Sequence, residues 1–433
     1  MSSQRALPAR RPGGYFVRVT TSRIVFLTRE PVIHQLGGST TYAFNLLEIL
    51  VGYGADVVVV TTSAFSSSPL LWFRPVATLP AGVKFSAPGF FRAGGMYLNL
   101  FSLNAWARAF SRMGTRSPLL RPLSTLAEKL FAGRIFANAW DLTPPSARER
   151  AAALREIATR DATTVIANYA FWGPLLRDEA LRGCKRVILM HDLLSARVQL
   201  FLQSGTPLDS PEIGEAEEME WLSSADCVLA AQQREAEAIQ PRISACVLVQ
   251  PMVYRPRRFE ASAEKGRCLF VGANIAPNQT GLRWFLDEVW PQVRREYPQA
   301  TLAVVGTICS WMEDGIPGVV KLNIVPSIET EYARASLCVA PLRIGSGIKI
   351  KLIEALSFGK AAVSTSVGVQ GLEEWIAGAV EVCDEASSFA TAVVHLLRDD
   401  GARNAHEEAA LHLIQQHYSA EALLSTDFTS CVL

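Results

Sequence analysis

The sequence lacks the patterns that mark several common classes of protein. Its eight cysteines form no CxxC pair, its six histidines form no HExxH spacing, and no Asp-x-Asp triplet occurs in its 433 residues. We therefore expect free, mostly buried thiols in a reducing cytosol, with no cofactor and no dedicated metal site. Since 42 basic residues balance 41 acidic ones, the net charge of +1 gives no reason to expect a nucleic acid as partner.

Long apolar runs are also missing. No stretch of about 18 uncharged apolar residues occurs, so we expect no membrane-spanning segment and a cytoplasmic location. Residues 1–22 contain four arginines among proline, serine and glycine without an apolar core, which predicts a mobile basic tail and not a signal peptide. The chain is nevertheless 49% hydrophobic and long enough for two or three domains.

What is present is a series of short apolar runs that alternate with helical patterns. The runs 23–28 and 56–61 enclose a helical pattern over 40–53, and such a βαβ opening implies a parallel sheet. The series stops at a stretch of linker composition over 251–265 and starts again at 267, which predicts two α/β halves. Further strands are predicted at 163–168, 185–190 and 246–249, and further helices at 147–159, 278–297 and 402–420.

One stretch of the second half combines glycines with cations. It is predicted to form a strand, a glycine loop and a helix, at 336–340, Gly345-Ser346-Gly347 and 348–358. Glycines before a helix N-terminus let backbone N–H groups approach an anion, which the helix dipole also favours. Lys349 and Lys351 lie in the first turn, where a cation is unfavourable unless it meets negative charge. The stretch fits either a phosphate-bearing ligand, with Glu354 near its hydroxyl groups, or glycines that serve only the turn.

Two positions in the first half are candidates for a ligand site. Gly37 and Gly38 precede the first helix and offer either a second approach for a phosphate or a plain turn. His191 and Asp192 follow the strand at 185–190, at the carboxyl end where ligands bind in open α/β sheets. There, His191 can donate to a sugar hydroxyl or a phosphate, and Asp192 can orient a ring or accept a proton. The alternative is a locally satisfied histidine and an aspartate that caps the next helix.

Two charged segments each allow more than one interpretation. Between residues 92 and 134, seven basic residues stand against one acidic residue, with five aromatic residues interleaved. This composition suits a surface of anionic lipid or a lipid-diphosphate acceptor, and it also suits a solvated helical face that covers a core. The helical pattern over 212–223 carries five glutamates, which we interpret as a solvated face.

Three stretches of the chain resemble a known family. The run 341–354, together with 364–372, resembles the donor-binding signature of the family 4-type glycosyltransferases. The stretches 215–239 and 271–291 resemble other segments of bacterial group 1 glycosyl transferases. The resemblance implies the GT-B architecture, in which two Rossmann-like domains face a cleft and a C-terminal helix crosses back. After the basic tail at 1–22, it implies an N-terminal acceptor domain at 23–255 and a C-terminal sugar-nucleotide domain at 266–400. A returning helix at 401–433 would complete the fold.

The resemblance also implies roles for the candidate residues. In that family a glutamate at the position of Glu354 holds the ribose of a sugar nucleotide, and a histidine at the position of His191 holds the donor sugar. By the same resemblance, the loop from Gly345 to Gly347 and Lys349 would neutralise the charge of the departing nucleoside diphosphate. The glycine pair before the first helix would face the diphosphate and the acceptor.

The implied reaction moves a sugar from a UDP- or GDP-linked donor to a glycan or lipid-linked acceptor in cell-surface polysaccharide synthesis. In the retaining family, the acceptor attacks from the face of the departing phosphate, whose oxygen takes the proton. No enzymic nucleophile and no metal are therefore expected. Peripheral contact with the inner face of the membrane would involve residues 92–134.

Two departures from the family pattern keep other functions open. The family has a second glutamate eight positions before Glu354, where this chain has Ser346. The usual Arg and Lys after the first strand of the second half are absent, and we expect Arg343, Lys349 or Lys351 to substitute for them. The alternatives are a non-catalytic nucleotide-sugar-binding or scaffold protein, a GT-B sugar-nucleotide epimerase and a GT-B phosphorylase.

Overall fold

The computed structural model describes residues 22–29, 32, 38–62, 72–73, 79–94, 96–98, 142–205, 208, 211–259, 263–345, 347–424 and 426–433. The sequence predictions on the basic tail up to residue 21, on Gly37, on Ser346 and on most of 92–134 lie outside these residues.

The described elements alternate between strands and helices along the chain. In chain order the strands are β1 (Arg23–Thr28), β2 (Asp56–Thr61), β3 (Trp72–Phe73), β4 (Lys84–Ser86), β5 (Phe91–Ala93), β6 (Met96–Leu98), β7 (Thr164–Asn168), β8 (Lys185–Met190), β9 (Cys227–Ala230), β10 (Cys246–Val249), β11 (Arg267–Val271), β12 (Thr301–Val305), β13 (Val319–Asn323), β14 (Leu337–Ala340), β15 (Ala362–Ser364) and β16 (Val380–Val382). The helices are α1 (Gly38–Gly52), α2 (Ala147–Thr159), α3 (Gly173–Leu176), α4 (Leu194–Gln203), α5 (Glu215–Leu222), α6 (Gln233–Ile239), α7 (Ala276–Trp284), α8 (Trp290–Glu296), α9 (Ile328–Arg334), α10 (Ile350–Ser357), α11 (Ala386–Arg398), α12 (Asp400–His417), α13 (Ala420–Leu423) and α14 (Thr426–Val432).

Each half of the chain is built on one parallel sheet. The first sheet has seven strands in the order β10-β9-β8-β7-β1-β2-β4, and the second has six in the order β13-β12-β11-β14-β15-β16. Strands such as β1 and β8 are near-continuous apolar runs, because both faces of these sheets are covered and buried. Strands β3, β6 and β5 form a small antiparallel sheet beside the first. The two Rossmann-like halves predicted from the sequence are confirmed.

One predicted helix is interrupted. The pattern over 278–297 forms α7, a π-helical turn at Phe285–Val289 and then α8. Pro291 lies at the start of α8 and has no N–H to continue the ladder, so the preceding turn widens to accommodate its ring. The prediction of one continuous α-helix over 278–297 is therefore wrong, although the predicted buried face of this segment is correct.

The end of the chain returns to the first half. Helix α12 packs against α10 of the second half. Helix α14 then packs on the first sheet, where Phe428 and Val432 are fully buried in the same core as Phe26. The linker and the returning chain are also tied to each other, because Tyr254 N–H donates to the Tyr418 carbonyl at 2.7 Å. The predicted C-terminal crossing is confirmed.

The two halves also share an apolar contact. Ile348 and Ile350 of the second half lie with Tyr42, Met252 and Tyr254 around one small cavity. Apolar side chains of the two halves are therefore in direct proximity at this cavity. Among the described residues, no helix combines the length and the apolar character that crossing a membrane requires.

Candidate functional site

Segments from both sheets meet at the carboxyl ends of their strands. Asp192 follows β8 of the first sheet, and Gly347 follows β14 of the second. A Cβ built on Gly347 would lie 3.3 Å from Asp192 Oδ1, so the glycine loop and Asp192 are in direct apposition. Nearby, a Cβ on Gly38 would lie 3.0 Å from Ile350 Cδ1. The structure thus brings together three of the predicted segments, those of Gly38, Asp192 and the glycine loop.

His191 is neutral and has a defined tautomer. Its Nε2 lies 2.6 Å from Asn168 Oδ1, while Asn168 Nδ2 donates to Thr28 Oγ1 at 3.1 Å. Burial lowers the pKa of His191 to about 3, so the ring carries one proton at neutral pH. Because the partner at Nε2 is an amide oxygen, the proton lies on Nε2 and Nδ1 can only accept.

The unprotonated nitrogen of His191, Nδ1, indicates which kind of ligand group can bind at this ring. Nδ1 is buried and has no hydrogen-bond partner among the described residues. The ring itself is held by Tyr169, whose centroid is 4.2 Å away, and by the edge of Tyr42 at 5.2 Å. The expected role of His191 as a donor does not fit this tautomer. Nδ1 is instead suited to accept a hydrogen bond from a hydroxyl group.

Asp192 belongs to a buried group of charges. Its Oδ2 accepts from Arg197 Nη1 at 3.3 Å, in a pair that is nearly excluded from solvent. Burial, together with the charge of Asp192, raises the pKa of Glu235 well above its usual range. Glu235 Oε1 accepts from Leu193 N–H at 3.2 Å, and the Glu235 side chain also lies within hydrogen-bonding reach of Asp192 and Gln232. Two carboxyl groups and one guanidinium therefore face the glycine loop.

The helix that follows Asp192 is capped by a residue from another helix. Leu193 is the N-cap residue of α4 and makes no side-chain capping bond. The N–H groups of Leu194 and Ser195 both donate to the Glu218 carboxylate, each at 2.8 Å. The alternative in which Asp192 caps this helix is therefore wrong. The prediction of a solvated acidic face is also wrong for Glu218, which is fully buried.

The glycine loop is organised around Lys349. Gly345 and Gly347 have φ angles of +144° and +70°, which a residue with a side chain rarely adopts. Lys349 Nζ donates to the Gly347 carbonyl at 2.6 Å. Burial lowers the pKa of Lys349 to about 8, although Asp192 and Glu235 act in the opposite direction. The ammonium group is thus a buried cation between the loop and the carboxyl groups of the first half.

Glu354 is held in place from two sides. Its Oε2 accepts from Tyr332 Oη at 2.9 Å and from Lys351 Nζ at 2.8 Å. Burial and the nearby Glu354 carboxylate raise the pKa of Tyr332, so its hydroxyl keeps its proton. Glu354 lies on α10 and is itself buried, which fixes its direction.

Arg343 lies apart from these cations. It is exposed, donates from Nη1 to the Asp384 carbonyl at 2.6 Å and stacks over Trp284 at 4.8 Å. Lys351 is paired with Glu354. Of the three cations predicted to substitute for the missing Arg and Lys, Lys349 is the one that the structure places against Asp192.

Sequence reasoning missed several residues of the site. Asn168 fixes the His191 tautomer, Glu235 adds a carboxyl group, and Gln232 approaches the second half so closely that a Cβ on Gly371 would lie 2.6 Å from its Oε1. Asn168 ends β7, and Gln232 and Glu235 follow the end of β9. The rule that ligands bind at carboxyl ends of parallel strands, applied to every strand, would have found all three.

The sequence matches a known family in its second half. Residues 265–399 match the family described as Glycosyl transferases group 1. A relative described as an uncharacterized 44.6 kDa protein in the cps region of Klebsiella pneumoniae is 24% identical over 172 residues, which are 37% of this chain and 44% of the relative. The chain thus spans less than half the length of that relative.

Several solved structures share the whole architecture. Sucrose-phosphate synthase from Thermosynechococcus elongatus has a TM-score of 0.61 at 14% identity and covers 93% of this chain and 96% of its own. A variant of S. aureus TarM in complex with fondaparinux, alpha-GlcNAc-glycerol and UDP has a TM-score of 0.66 at 10% identity, with 95% and 99% covered. Anabaena HepE in complex with UDP and glucose has a TM-score of 0.60 at 13% identity, with 94% and 99% covered. The chain therefore has the GT-B fold of these proteins, and residues 265–399 of its second half are similar to the group 1 glycosyl transferases.

Proposed function

We propose that the protein is a glycosyltransferase that moves a sugar from a nucleoside-diphosphate donor to a hydroxyl group of an acceptor. The observation that carries this proposal is the apposition of the glycine loop and Lys349 with Asp192, across the carboxyl edges of two parallel sheets. Such an edge is where open α/β sheets bind ligands, and the match of residues 265–399 to the group 1 glycosyl transferases supports a sugar nucleotide as the ligand.

The donor binds to the second half of the chain. Glu354, held by Tyr332 and Lys351, accepts hydrogen bonds from the ribose hydroxyls. The N–H groups of the glycine loop and the dipole of α10 stabilise the diphosphate, and Lys349 adds a buried positive charge. A UDP-linked donor is supported by the UDP bound to HepE and to the TarM variant; a GDP-linked donor remains the alternative.

Groups of the first half position the sugars. His191 Nδ1 accepts a hydrogen bond from a sugar hydroxyl, because the ring is neutral and its other nitrogen is used by Asn168. Glu235 keeps its proton and donates it in a hydrogen bond to the neighbouring Asp192 carboxyl group, and the remaining oxygens of this pair can accept from a sugar hydroxyl. We propose that Glu235 supplies the carboxyl group that the family pattern places at the position of Ser346. Asp192 and Arg197 form an ion pair beside Glu235, so their opposite charges offset each other.

The transfer is retaining and needs no metal in this proposal. The acceptor hydroxyl attacks the anomeric carbon from the face of the departing phosphate, the bond to that phosphate oxygen breaks, and the same oxygen takes the hydroxyl proton. Lys349 and the loop N–H groups stabilise the negative charge that collects on the diphosphate. The subclass proposed is family 4.

The acceptor is a glycan or a lipid-linked saccharide in cell-surface polysaccharide synthesis. The cps-region location of the Klebsiella relative supports this context. We further propose that the protein is cytoplasmic and that residues 92–134 contact the inner face of the membrane. Gly37 and Gly38 would lie near the acceptor. The domain limits proposed are those predicted from the sequence.

Release of nucleoside diphosphate tests the proposal. The purified chain is incubated with UDP- and GDP-sugars, with and without polyprenyl-diphosphate-linked sugars, and with EDTA in parallel. We expect release from one donor that increases with acceptor and is unchanged by EDTA. Glu354→Gln should lower kcat/KM by about 10- to 100-fold, since hydrogen bonds to a charged carboxylate are lost. The exposed Glu408 on α12 provides the control, and Glu408→Gln should leave the rate unchanged.

The same assay separates the alternatives. Donor binding without release with any acceptor would support a non-catalytic binding protein and contradict transfer. Acceptor-independent conversion of one sugar nucleotide into another would identify an epimerase. Sugar phosphate formed from a glycan and inorganic phosphate would identify a phosphorylase.

A further inference from the structure

Three cysteines that lie far apart in the sequence come together in the fold. Cys227 and Cys246 begin the neighbouring parallel strands β9 and β10 and are directly paired in register. Cys431 lies on α14, the helix that returns from the second half. The three sulfur atoms all lie within 4.8 Å of one another. Among the described residues, this is the one group of His, Cys, Asp and Glu side chains with metal-ligand spacing.

The cluster is separate from the proposed donor site. Cys227 is paired with Val187 of β8, three residues before the end of that strand, whereas His191 follows its carboxyl end. The cysteines therefore occupy the amino ends of the strands, on the opposite edge of the sheet from the cleft. None of the proposed steps of sugar transfer uses them.

A candidate for the fourth ligand lies on the same helix as Cys431. Asp427 precedes Cys431 by four residues on α14, and residues at this spacing lie on one face of a helix. Asp427 is close enough to Cys246 to act on its thiol electrostatically. Asp427 lies outside the group whose ligand atoms are all within 4.8 Å of one another, so its carboxylate would need to turn toward the three sulfurs to complete a tetrahedral donor set.

We propose that Cys227, Cys246, Cys431 and Asp427 bind one zinc ion. Sulfurs around tetrahedral zinc lie about 3.8 Å apart, since each Zn–S bond is about 2.3 Å, so the cluster needs to contract by about 1 Å or less. The carboxylate favours zinc over copper(I), which selects soft ligands alone. As each Zn–S bond forms, the thiol releases its proton to solvent.

The surroundings of the cluster suit a structural site. Cys227 is buried, Cys431 is partly exposed and Cys246 is exposed, so the ion enters from solvent and binds against the edge of the core. Three of the ligands would come from different elements, with β9 and β10 in the first sheet and α14 at the end of the chain. The ion would therefore fasten the returning helix to the first sheet. No sequence pattern indicates this site, because no two of these cysteines are close along the chain.

Metal binding to the reduced full chain tests the proposal. After removal of metals under thiol reductant, Zn²⁺ is titrated against a chromogenic chelator, and Co²⁺ is added in parallel to report sulfur ligands by charge-transfer absorption. We expect one ion per chain, thiolate–cobalt absorption, and a rise in Tm of about 5 °C or more with Zn²⁺. Cys431→Ser should abolish the absorption, whereas Asp427→Asn should keep the stoichiometry and weaken binding about tenfold or more.

Controls distinguish a lost site from a lost fold. Cys383→Ser removes another partly exposed thiol, in the second half, and should bind Zn²⁺ like the wild type. Without metal, Cys431→Ser should match the circular dichroism and Tm of the metal-free wild type. The proposal is overturned by substoichiometric binding, by equal binding to Cys431→Ser, or by a disulfide among the three cysteines in the protein as isolated.

Discussion

Lys349 is a cation that the fold holds nearly out of water. Its ammonium group bonds the carbonyl of Gly347 and faces the Asp192 and Glu235 carboxyl groups, and burial lowers its pKa to about 8. A lysine with this pKa begins to lose its charge just above physiological pH. If it contributes to diphosphate binding, the strength of that binding must follow its protonation.

The affinity for free nucleoside diphosphate should therefore fall as pH rises through about 8. The protonated form binds the anion, so each pH unit above the pKa should weaken binding by up to about tenfold. Calorimetric titration at pH 7, 8 and 9 measures this dependence. Lys349→Arg keeps its charge over the whole range and should show a flat profile, while a wild-type affinity that is constant between pH 7 and 9 would remove Lys349 from the binding site.

At the residue scale, the sequence predicted some site residues and missed others for a physical reason. Glu354 and the glycine loop are close together along the chain, so their pattern is visible in one stretch. Asn168 and Glu235 join the site only because β7 and β9 flank β8 in the sheet, and strand order is set by long-range packing. The tautomer of His191 likewise depends on Asn168, which no local pattern connects to it.

Helix α4 depends on a neighbouring helix for its start. Its first N–H groups are satisfied by Glu218, which reaches across from α5 and is fully buried. Since Asp192 and His191 directly precede α4, this contact also sets the position of the site residues.

Glu218→Ala should lower the free energy of unfolding by about 2–3 kcal/mol, because two buried N–H groups lose a charged acceptor. Denaturant unfolding followed by the fluorescence of the nine tryptophans, which include the buried Trp172 and Trp221 of the first half, measures this loss. The neighbouring exposed Glu217 is the matched control, and Glu217→Ala should change stability by about 0.5 kcal/mol or less. Equal effects of the two substitutions would show that the hydrogen bonds between Glu218 and the start of α4 do not stabilise the fold.

At the element scale, strands were easier to predict than helices. The strands at 23–28, 56–61 and 185–190 have the predicted bounds, because a strand buried on both faces is a continuous apolar run with clear ends. The edge strand at 246–249 also has its predicted bounds, although it is only partly buried. Helices carry apolar residues on one face only, so a π turn such as that before Pro291 leaves the pattern almost unchanged. The acidic residues of α5 indicated a polar surface. They did not indicate that one of them, Glu218, is buried and accepts hydrogen bonds from the first N–H groups of α4.

The returning chain joins the two halves into one molecule. Phe428 of α14 is fully buried among residues of the first sheet, although it follows the whole second half in sequence. The alternation of strands and helices predicted two halves. It did not predict which surfaces of those halves meet, since that depends on side chains from both, such as Ile350 and Tyr42.

Phe428→Ala should destabilise the first half by about 3–5 kcal/mol, the usual loss for a large buried aromatic residue. The same tryptophan fluorescence in denaturant reports the change. Phe91 is 57% exposed and serves as the control, so Phe91→Ala should leave the unfolding midpoint nearly unchanged. A wild-type midpoint for Phe428→Ala would mean that α14 does not contribute to the core of the first half.

The hydrogen bond between Tyr254 and Tyr418 has a consequence for how the molecule can move. It ties together the two places where the chain passes between the halves, so both passages lie along a common edge. Two bodies joined along one edge can rotate about that edge, and they resist translation past each other. In the proposed transferase, an opening of this kind would be widest on the side of the molecule away from Tyr254.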